Sequence, residues 1–448
     1  MTVQADRPRS AVRQVGSTAL AKVAVMGIAG LAGIVTSRLV IQHYGVRAFA
    51  QYGLLTGLTS LMPFADLGVA AVLVNVIAGS LAPRSDREVR RTITSAFRIL
   101  SVSATIIGSV AVAIGLLGWW PAILGEGLMP DGGALAATIC LVVFAVALPL
   151  GVGQRVLVAI GQTSKQTAIS GIASPLVLCG VATSLALAWA FGPYVAVFSY
   201  LANATVALVC LVLAARLLSP QVVAAARDVP KLRAVRGAQV IDVAWPMLVQ
   251  MIALPIAMQT DRLLLSHLAP VNELAQYNFG AQIFGMISQV IAAAGVAMWP
   301  IYARARATGT ITSPARPTMI FTGAASALGL LSSVLLPFFA QVVTEGKIIV
   351  PWPLAASFVL FVTVQATKYP LGMYMTDAEG LRFQVLPIVL MVPINLALSW
   401  ALIAPLGAAG PILGSAISVL LCQVVPNLWY VRRDLARRRR ALAEAAAK

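Results

Sequence analysis

The chain has 448 residues, of which 59% are hydrophobic and 10% are charged, and its mean hydropathy is +0.89. Soluble domains carry about 25% charged residues, so this composition predicts an integral membrane protein without a soluble domain. The net charge of +17 does not predict a nucleic-acid partner, because the cations lie mainly in short loops between apolar runs and no base-reading module is present.

Apolar segments recur along the whole chain, and each spans about the 20 residues that a membrane helix needs. The sequence predicts an all-α integral membrane fold with twelve transmembrane helices in two six-helix repeats. The predicted helices are 18–41, 50–80, 92–119, 133–159, 166–190, 193–217, 239–267, 275–303, 317–343, 350–374, 382–403 and 408–431.

The predicted domains follow from this count. An N-terminal six-helix lobe (1–218) is joined by a basic cytoplasmic linker (219–237) to a C-terminal six-helix lobe (238–431), and a basic cytoplasmic tail (432–448) follows. Lys and Arg collect in alternate loops, and the opposite loops hold only Arg47 and Lys347 among the cations. By the positive-inside rule, both termini are expected in the cytoplasm.

A short segment is repeated between the halves. Arg38 to Tyr52 (RLVIQHYGVRAFAQY) resembles Arg262 to Tyr277 (RLLLSHLAPVNELAQY) with a single insertion, and each copy ends one apolar run and starts the next. Because both halves are predicted to begin on the cytoplasmic side, the repeats are expected to run parallel. Repeats of membrane-length segments are typical of transporters, whose pathway lies between them.

Four cations remain inside the predicted spans, and they are the candidate substrate-binding residues: Arg38, Arg155, Arg262 and Lys368. A central Arg or Lys costs about 2.5 to 3.5 kcal/mol in a membrane helix, so such residues usually face a wet cavity or a partner. Arg38, Arg262 and Arg155 lie near helix ends, where snorkelling to the lipid headgroups is the alternative. Lys368 lies deeper in its span.

Two acids are candidates for ion coupling or for an ion pair with these cations. Asp66 lies mid-way along the second span in PFADLG, and Asp261 directly precedes Arg262. A buried carboxylate must be protonated, paired or hydrated. His43 and His267 match between the repeats but have no Cys or carboxylate at ligand spacing, and the four cysteines form no CxxC pair, so no metal site is predicted.

One set of residues carries a resemblance to a known family: an Arg near the end of the first span, a Gly after it, a Tyr-Gly pair opening the second span, and Asp-Leu-Gly within that span (Arg38, Gly45, Tyr52, Gly53, Asp66, Leu67 and Gly68). This pattern resembles the polysaccharide transporter branch of the multidrug/oligosaccharidyl-lipid/polysaccharide (MOP) exporter superfamily, which includes O-antigen flippases and has the MATE-type fold. Lipid II flippases of the superfamily typically have two further spans.

The resemblance implies a flippase of the bacterial cytoplasmic (inner) membrane that moves a polyprenyl-diphosphate-linked oligosaccharide to the outer leaflet by alternating access. It implies a lipid-linked glycan substrate, contact with membrane lipids, and a polysaccharide polymerase or glycosyltransferases as partners. Buried cations suit an anionic diphosphate, which they bind through charge-assisted hydrogen bonds.

Two rival functions remain open. A MATE-like multidrug or small-molecule/ion antiporter needs acidic rather than basic residues inside the membrane for cationic substrates. A membrane glycosyltransferase or polymerase needs carboxylates or His in substantial loops, and the predicted loops are short. The sole Gly-Lys pair, Gly346-Lys347, lacks the other residues of a phosphate-binding loop. The sequence therefore predicts a secondary-type transporter that is not an enzyme and has no cofactor.

Overall fold

The structure is a computed structural model. It describes residues 25, 27–59, 62, 65, 73–74, 76–77, 80, 82–188, 191–231, 253, 256–296, 298, 301–302, 305–306 and 310–446. Within these ranges every regular element is helical. The predicted all-α class is thus confirmed for the part of the chain that is described.

The chain divides into two compact units, Met1–Ile123 with Leu128–Ala244, and Leu124–Gly127 with Trp245–Lys448. The first six helices are α1 (27–43), α2 (Gly45–Leu58), α3 (Arg87–Leu116), α4 (Trp120–Leu124), α5 (Gly133–Leu150) and α6 (Val152–Ala159). The next four are α7 (Thr163–Ser170), α8 (Ala173–Ala186), α9 (Val195–Leu217) and α10 (Gln221–Asp228). We call the larger first part unit 1.

Unit 2 is the part from Trp245 onward, and seven of its helices are described from end to end. They are α11 (Asp261–Leu268), α12 (Val271–Val296), α13 (Ala315–Thr344), α14 (Trp352–Tyr374), α15 (Ala378–Leu406), α16 (Ala409–Val419) and α17 (Val425–Ala446). A π-helical turn, Leu420–Val424, joins the last two. The described part of the basic tail, 432–446, therefore continues the helix of the last span.

Eight helical segments in the described residues are long and apolar enough to cross a membrane, so the chain is a multi-pass membrane protein. They are Arg87–Leu116, Gly133–Ala159, Thr163–Ala186, Gly192–Leu217, Ala315–Thr344, Trp352–Tyr374, Glu379–Leu406 and Ala409–Arg440. They correspond to the predicted spans three to six and nine to twelve. The other four predicted spans include residues outside the described ranges, so the count of twelve stays a prediction.

The fourth predicted span is broken in a way that positions a candidate residue. Pro149 lies near the end of α5, and α6 begins after Gly151. Proline has no N–H for the helix ladder and favours such a break. On α6, Val152, Val156 and Leu157 are buried against α3 and α9, while Arg155 is exposed on the other face.

Close packing between α6 and α9 depends on a glycine. A Cβ at Gly153 would collide with the backbone of Leu211 and Cys210 on α9, whereas a Cβ at Gly108 on α3 would lie an ordinary 3.5 Å from the Cβ of Ala145. We expect Gly153→Ala to lower the free energy of unfolding by about 1 to 3 kcal/mol, because backbone moves less readily than a side chain. The matched Gly108→Ala should have little effect, and equal melting temperatures of the two purified variants would contradict this packing.

The helix that follows the sixth predicted span is held against α3 by polar contacts. Nε of Arg90 donates to a carboxylate oxygen of Asp228 at 2.7 Å. The guanidinium of Arg98 donates to the carbonyl oxygens of Asp228, Val229 and Lys231 at 2.8 to 2.9 Å. The hydrogen bond from Arg90 holds the pKa of Asp228 below its ordinary value of 3.8. These contacts fix the start of the predicted basic linker.

The ion pair between Arg90 and Asp228 predicts that the stability of the protein depends on pH. A carboxylate with a lowered folded-state pKa adds stability above its ordinary pKa and loses it as the pH falls through the lowered value. We expect Asp228→Asn to melt below the wild type near neutral pH, with a difference that closes below about pH 3.8. Asp131→Asn, in an exposed loop, should show no such difference. A gap for Asp228→Asn that persists at low pH would rule out the ion pair as its cause.

The two copies of the repeated segment have the same local structure. In each, a helix ends and a second helix starts within three residues, α1 to α2 and α11 to α12. Nδ1 of His43 lies 3.1 Å from the carbonyl oxygen of Leu39, and Nδ1 of His267 lies 2.8 Å from that of Leu263. Each histidine thus bonds to the backbone one turn earlier.

Candidate functional site

Lys368 lies on α14, half-buried, beside a polar seam that fixes its helix. Thr363 and Thr367 on α14 pair with Ser326 and Thr322 on α13 at 3.1 and 2.8 Å. Among the described residues no carboxylate forms a salt bridge with the Lys368 ammonium, which lies 5.3 Å from the ring centroid of Tyr369. An intramembrane cation without an acidic partner is suited to an anionic ligand.

Arg262 and Asp261 are adjacent in sequence but have different partners. Nε of Arg262 donates to Oδ1 of Asn278 on α12 at 2.9 Å, and the side chain is half-buried. The Asp261 carboxylate makes no ion pair with any described cation. Ion pairing and ion coupling both stay predictions for Asp261.

The Asp261 carboxylate is buried and surrounded by hydroxyl groups. Asp261 opens α11, where the positive end of the helix dipole favours a carboxylate. Its oxygens accept from Tyr277 Oη at 3.1 Å, from Ser415 Oγ at 3.2 Å and from Ser399 Oγ at 3.5 Å. These partners come from α12, α16 and α15, so one carboxylate links four helices of unit 2.

Asn395 and Ser418 extend this cluster. Nδ2 of Asn395 donates to Ser415 Oγ at 2.8 Å and to Ser418 Oγ at 3.1 Å, while its Oδ1 is buried with no described partner. Ser399 Oγ also donates to the carbonyl oxygen of Pro411 at 3.3 Å. We define the Asp261 cluster as Asp261, Tyr277, Asn395, Ser399, Ser415 and Ser418.

Small residues let the helices of this cluster approach closely. A Cβ at Gly414 would lie 2.8 Å from the backbone nitrogen of Ser399, and a Cβ at Gly410 would collide with the backbone of Leu402. Small residues four apart are a common contact motif of membrane helices. The spacing in Gly410 to Gly414 thus brings the hydroxyls of α15 and α16 within reach of the carboxylate.

The oxygen atoms of the Asp261 cluster suit the binding of a hard monovalent cation or a proton. All its ligating groups are oxygens, which hard cations prefer, and it offers one carboxylate where divalent-ion sites usually offer several. Within the described residues no group of three or more His, Cys, Asp or Glu side chains lies close enough to share a metal ion. Oδ1 of Asn395 is a buried acceptor without a described partner, and a buried acceptor of this kind needs a donor or a cation.

In unit 1, Arg155 lines a cavity of about 280 Å³ together with Gln154, Phe144 and Asn203. A second cavity of about 260 Å³ shares Phe144 and Asn203 and is also lined by Thr56 and Ser199. The two cavities adjoin, and we call them together the unit 1 hollow. One predicted cation thus lies at a mainly apolar hollow that carries a few polar side chains and the ring of Phe144.

The structure places the other predicted residues less specifically. Arg38 is exposed on α1, where it opens the first copy of the repeated segment as Arg262 opens the second. Asp66 lies outside the described residues. The structure brings Asp261 and Arg262 to neighbouring positions of unit 2, and it places Lys368 on another helix of the same unit. No described contact joins these three side chains.

Sequence reasoning missed most of the Asp261 cluster and of the unit 1 hollow. Asn395 and Ser399 lie four apart in an apolar span, and this helical spacing is the signal that could have indicated a polar face. Gly410 and Gly414 have the same spacing, which is typical of a close helix contact. Gln154 directly precedes Arg155, and Asn203 lies alone in an apolar run. Neutral polar residues cost less in a membrane than charged residues, so in sequence they are a weaker sign of a functional site.

Residues 11–306 match the model of a family described as polysaccharide biosynthesis protein. The match covers more than half of the chain. The chain belongs to this polysaccharide biosynthesis protein family. The resemblance drawn from the sequence is thereby confirmed. No curated protein sequence matches the chain significantly.

The chain is similar to several solved structures. The lipid II flippase MurJ in an inward closed conformation aligns with a TM-score of 0.65 and 10% identity, covering 93% of this chain and 89% of MurJ. An inward-facing multidrug resistance MATE transporter of the MOP superfamily gives 0.61 and 13%, covering 94% and 99%. A eukaryotic MATE transporter gives 0.61 and 12%, covering 96% and 99%. The chain therefore has the MATE-type fold.

Proposed function

We propose that this member of the polysaccharide biosynthesis family is a flippase that moves a polyprenyl-diphosphate-linked oligosaccharide across the bacterial cytoplasmic membrane by alternating access. The family match over residues 11–306 carries the proposal. The similarity to a lipid II flippase and to MATE transporters supports a transporter fold. In this proposal two six-helix lobes, 1–218 and 238–431, alternate around the substrate, and both termini and the linker 219–237 are cytoplasmic.

The intramembrane cations supply the recognition chemistry. Lys368 has no described acidic partner, and Arg262 is bonded to a neutral amide, so the charge of each is available to a diphosphate. Arg155 adds a guanidinium at the unit 1 hollow, and Arg38 adds an exposed one on α1. A cationic drug would be repelled by the same groups, which favours an anionic substrate over the multidrug alternative.

The Asp261 cluster supplies a place for a coupling ion. A proton or a monovalent cation that binds Asp261 removes a buried charge and satisfies Oδ1 of Asn395. Because the cluster links α11, α12, α15 and α16, the bound and free forms favour different packing of these helices. Asp66, the second acid of the sequence hypothesis, is proposed as a partner or a further coupling residue of unit 1.

The localisation of the accumulated substrate tests this function. In cells depleted of the protein, we expect the lipid-linked glycan to accumulate in the inner leaflet and surface polysaccharide to disappear, with both defects reversed by the intact chain. Glycosyltransferases and a polysaccharide polymerase are the enzymes that would make and use such a substrate. Normal surface polysaccharide in depleted cells, together with lost resistance to organic cations, would support the multidrug antiporter instead.

A further inference from the structure

The unit 1 hollow has the groups that bind sugars, on helices that otherwise carry mostly apolar residues. Its two adjoining cavities, of about 280 and 260 Å³, are each slightly smaller than the roughly 300 Å³ at which ligand pockets begin, so a ligand would occupy them together. The ring of Phe144 and the amide of Asn203 belong to both cavities. An aromatic wall with a few placed amides and hydroxyls is the usual composition of a site for a small polar ligand.

The amides of the hollow have hydrogen-bonding capacity to spare. Nδ2 of Asn203 donates to the carbonyl oxygen of Ser199 at 2.8 Å, and no described donor reaches its Oδ1. The side chain of Gln154 makes no hydrogen bond with any described residue. Amide atoms that lack a protein partner in a membrane helix are costly. A ligand with hydroxyl or acetamido groups would form hydrogen bonds with them.

The lining residues of the hollow are ordered along the helices. Gln154 and Arg155 lie on α6, beyond the break at Gly151, in the half of the span that the charge pattern predicts to be cytoplasmic. Phe144 and Asn203 lie nearer the middle of their helices, and Thr56 and Ser199 lie on the far side of them. A guanidinium at one end and neutral donors and acceptors beyond it match a phosphate with a sugar attached.

We infer that the unit 1 hollow binds the sugar that is joined to the diphosphate of the substrate, and that it contributes to the selection of glycan. The sugar ring packs on Phe144, its hydroxyl or acetamido groups bond to Gln154 and Asn203, and Arg155 contacts the adjacent phosphate. This inference rests on the proposed function. It goes further by assigning sugar recognition to residues of one unit.

Binding to two related lipids tests this assignment. The probes are the lipid-linked glycan extracted from host membranes and the polyprenyl diphosphate without a glycan, each titrated into the purified full-length protein in nanodiscs of neutral lipid. We expect Phe144→Leu and Asn203→Leu each to weaken binding of the glycan-bearing lipid by about five- to tenfold. Neither should change binding of the bare diphosphate, whereas Arg155→Gln should weaken both.

Matched controls separate the hollow from the helices that form it. Phe144→Leu keeps an apolar side chain of similar volume and removes only the ring. Thr205→Val on α9 and Val146→Ala on α5 change residues that line neither cavity, and both should bind both lipids as the wild type does. The melting temperature of each variant verifies that it is folded.

The possible failures differ in their meaning. If the wild type binds both lipids equally, or if the Phe144 and Asn203 variants retain full affinity for the glycan-bearing lipid, the sugar site is wrong while the proposed flippase stands. If these variants weaken both lipids equally, the hollow holds the lipid part and the assignment to sugar is overturned. If the wild type binds neither lipid, the proposed function fails, and the sugar site fails with it.

Discussion

Lys368→Ala should abolish glycan export in cells in which the variant accumulates in the membrane at the wild-type level. Its ammonium is half-buried on α14, and no described carboxylate pairs with it. A cation in the interior of a membrane helix costs about 2.5 to 3.5 kcal/mol, so its removal should leave the stability of the fold unchanged or raised. Lost export without lost stability is the signature of a substrate contact.

The matched control for this variant is Lys347→Ala, because Lys347 is exposed in the loop between α13 and α14. It should export glycan normally. Lys368→Arg should retain part of the activity, since it keeps the charge but changes the geometry of phosphate contact. Unstable Lys368→Ala protein would indicate a structural role, and normal export by Arg38→Ala, Arg262→Ala and Lys368→Ala alike would defeat cation-based recognition of the diphosphate.

Asp261→Asn should uncouple transport from the ion gradient. The amide keeps the size of the carboxyl group and retains an oxygen that accepts from Tyr277 and Ser415, but it has no charge to be neutralised by a proton or cation. Gradient-driven export should fall by about tenfold or more, while exchange of substrate down its own gradient persists. Export measured with and without a proton or sodium gradient separates the two effects.

Asp131→Asn is the control for this substitution, because it also removes one carboxylate but lies in an exposed loop of unit 1. Asn395→Leu provides a second test, since it removes the orphaned Oδ1 and the two bonds from Nδ2 to Ser415 and Ser418 but keeps the Asp261 carboxylate itself. It should raise the ion concentration needed for half-maximal export. An Asp261→Asn protein that still responds fully to both gradients would exclude this cluster as the coupling site.

Much of the fold follows from the sequence because its signals are strong. In the described residues, eight helical segments are long and apolar enough to cross a membrane, and apolar runs in the sequence predicted all eight. The predicted and observed ends differ near charged residues and near helix-breaking residues. The helix from Ala409 continues through a π-helical turn to the basic tail, because Ala and Leu among the arginines favour helix. The paired lobes of the sequence hypothesis stay a prediction.

The candidate site was predicted less completely than the fold. Charge alone singled out Lys368, Arg155 and Asp261, because charges are rare and costly in membrane helices. Two of the three partners of Asp261, Ser399 and Ser415, come from helices more than 130 residues away in the chain. A serine that bonds to a distant carboxylate looks in sequence like a packing residue. The close approach of α15 and α16 at Gly414 brings Ser399 and Ser415 to the same carboxylate.

Translocation by the purified protein tests the central claim most directly. Liposomes containing the full-length chain, with lipid-linked glycan added to one leaflet, are assayed for glycan that becomes accessible to an enzyme enclosed on the other side. The proposed mechanism predicts glycan transfer that requires the protein, is faster with an imposed ion gradient and is lost in Lys368→Ala. Transfer no faster than in protein-free liposomes, in vesicles that do transport an organic cation, would contradict it.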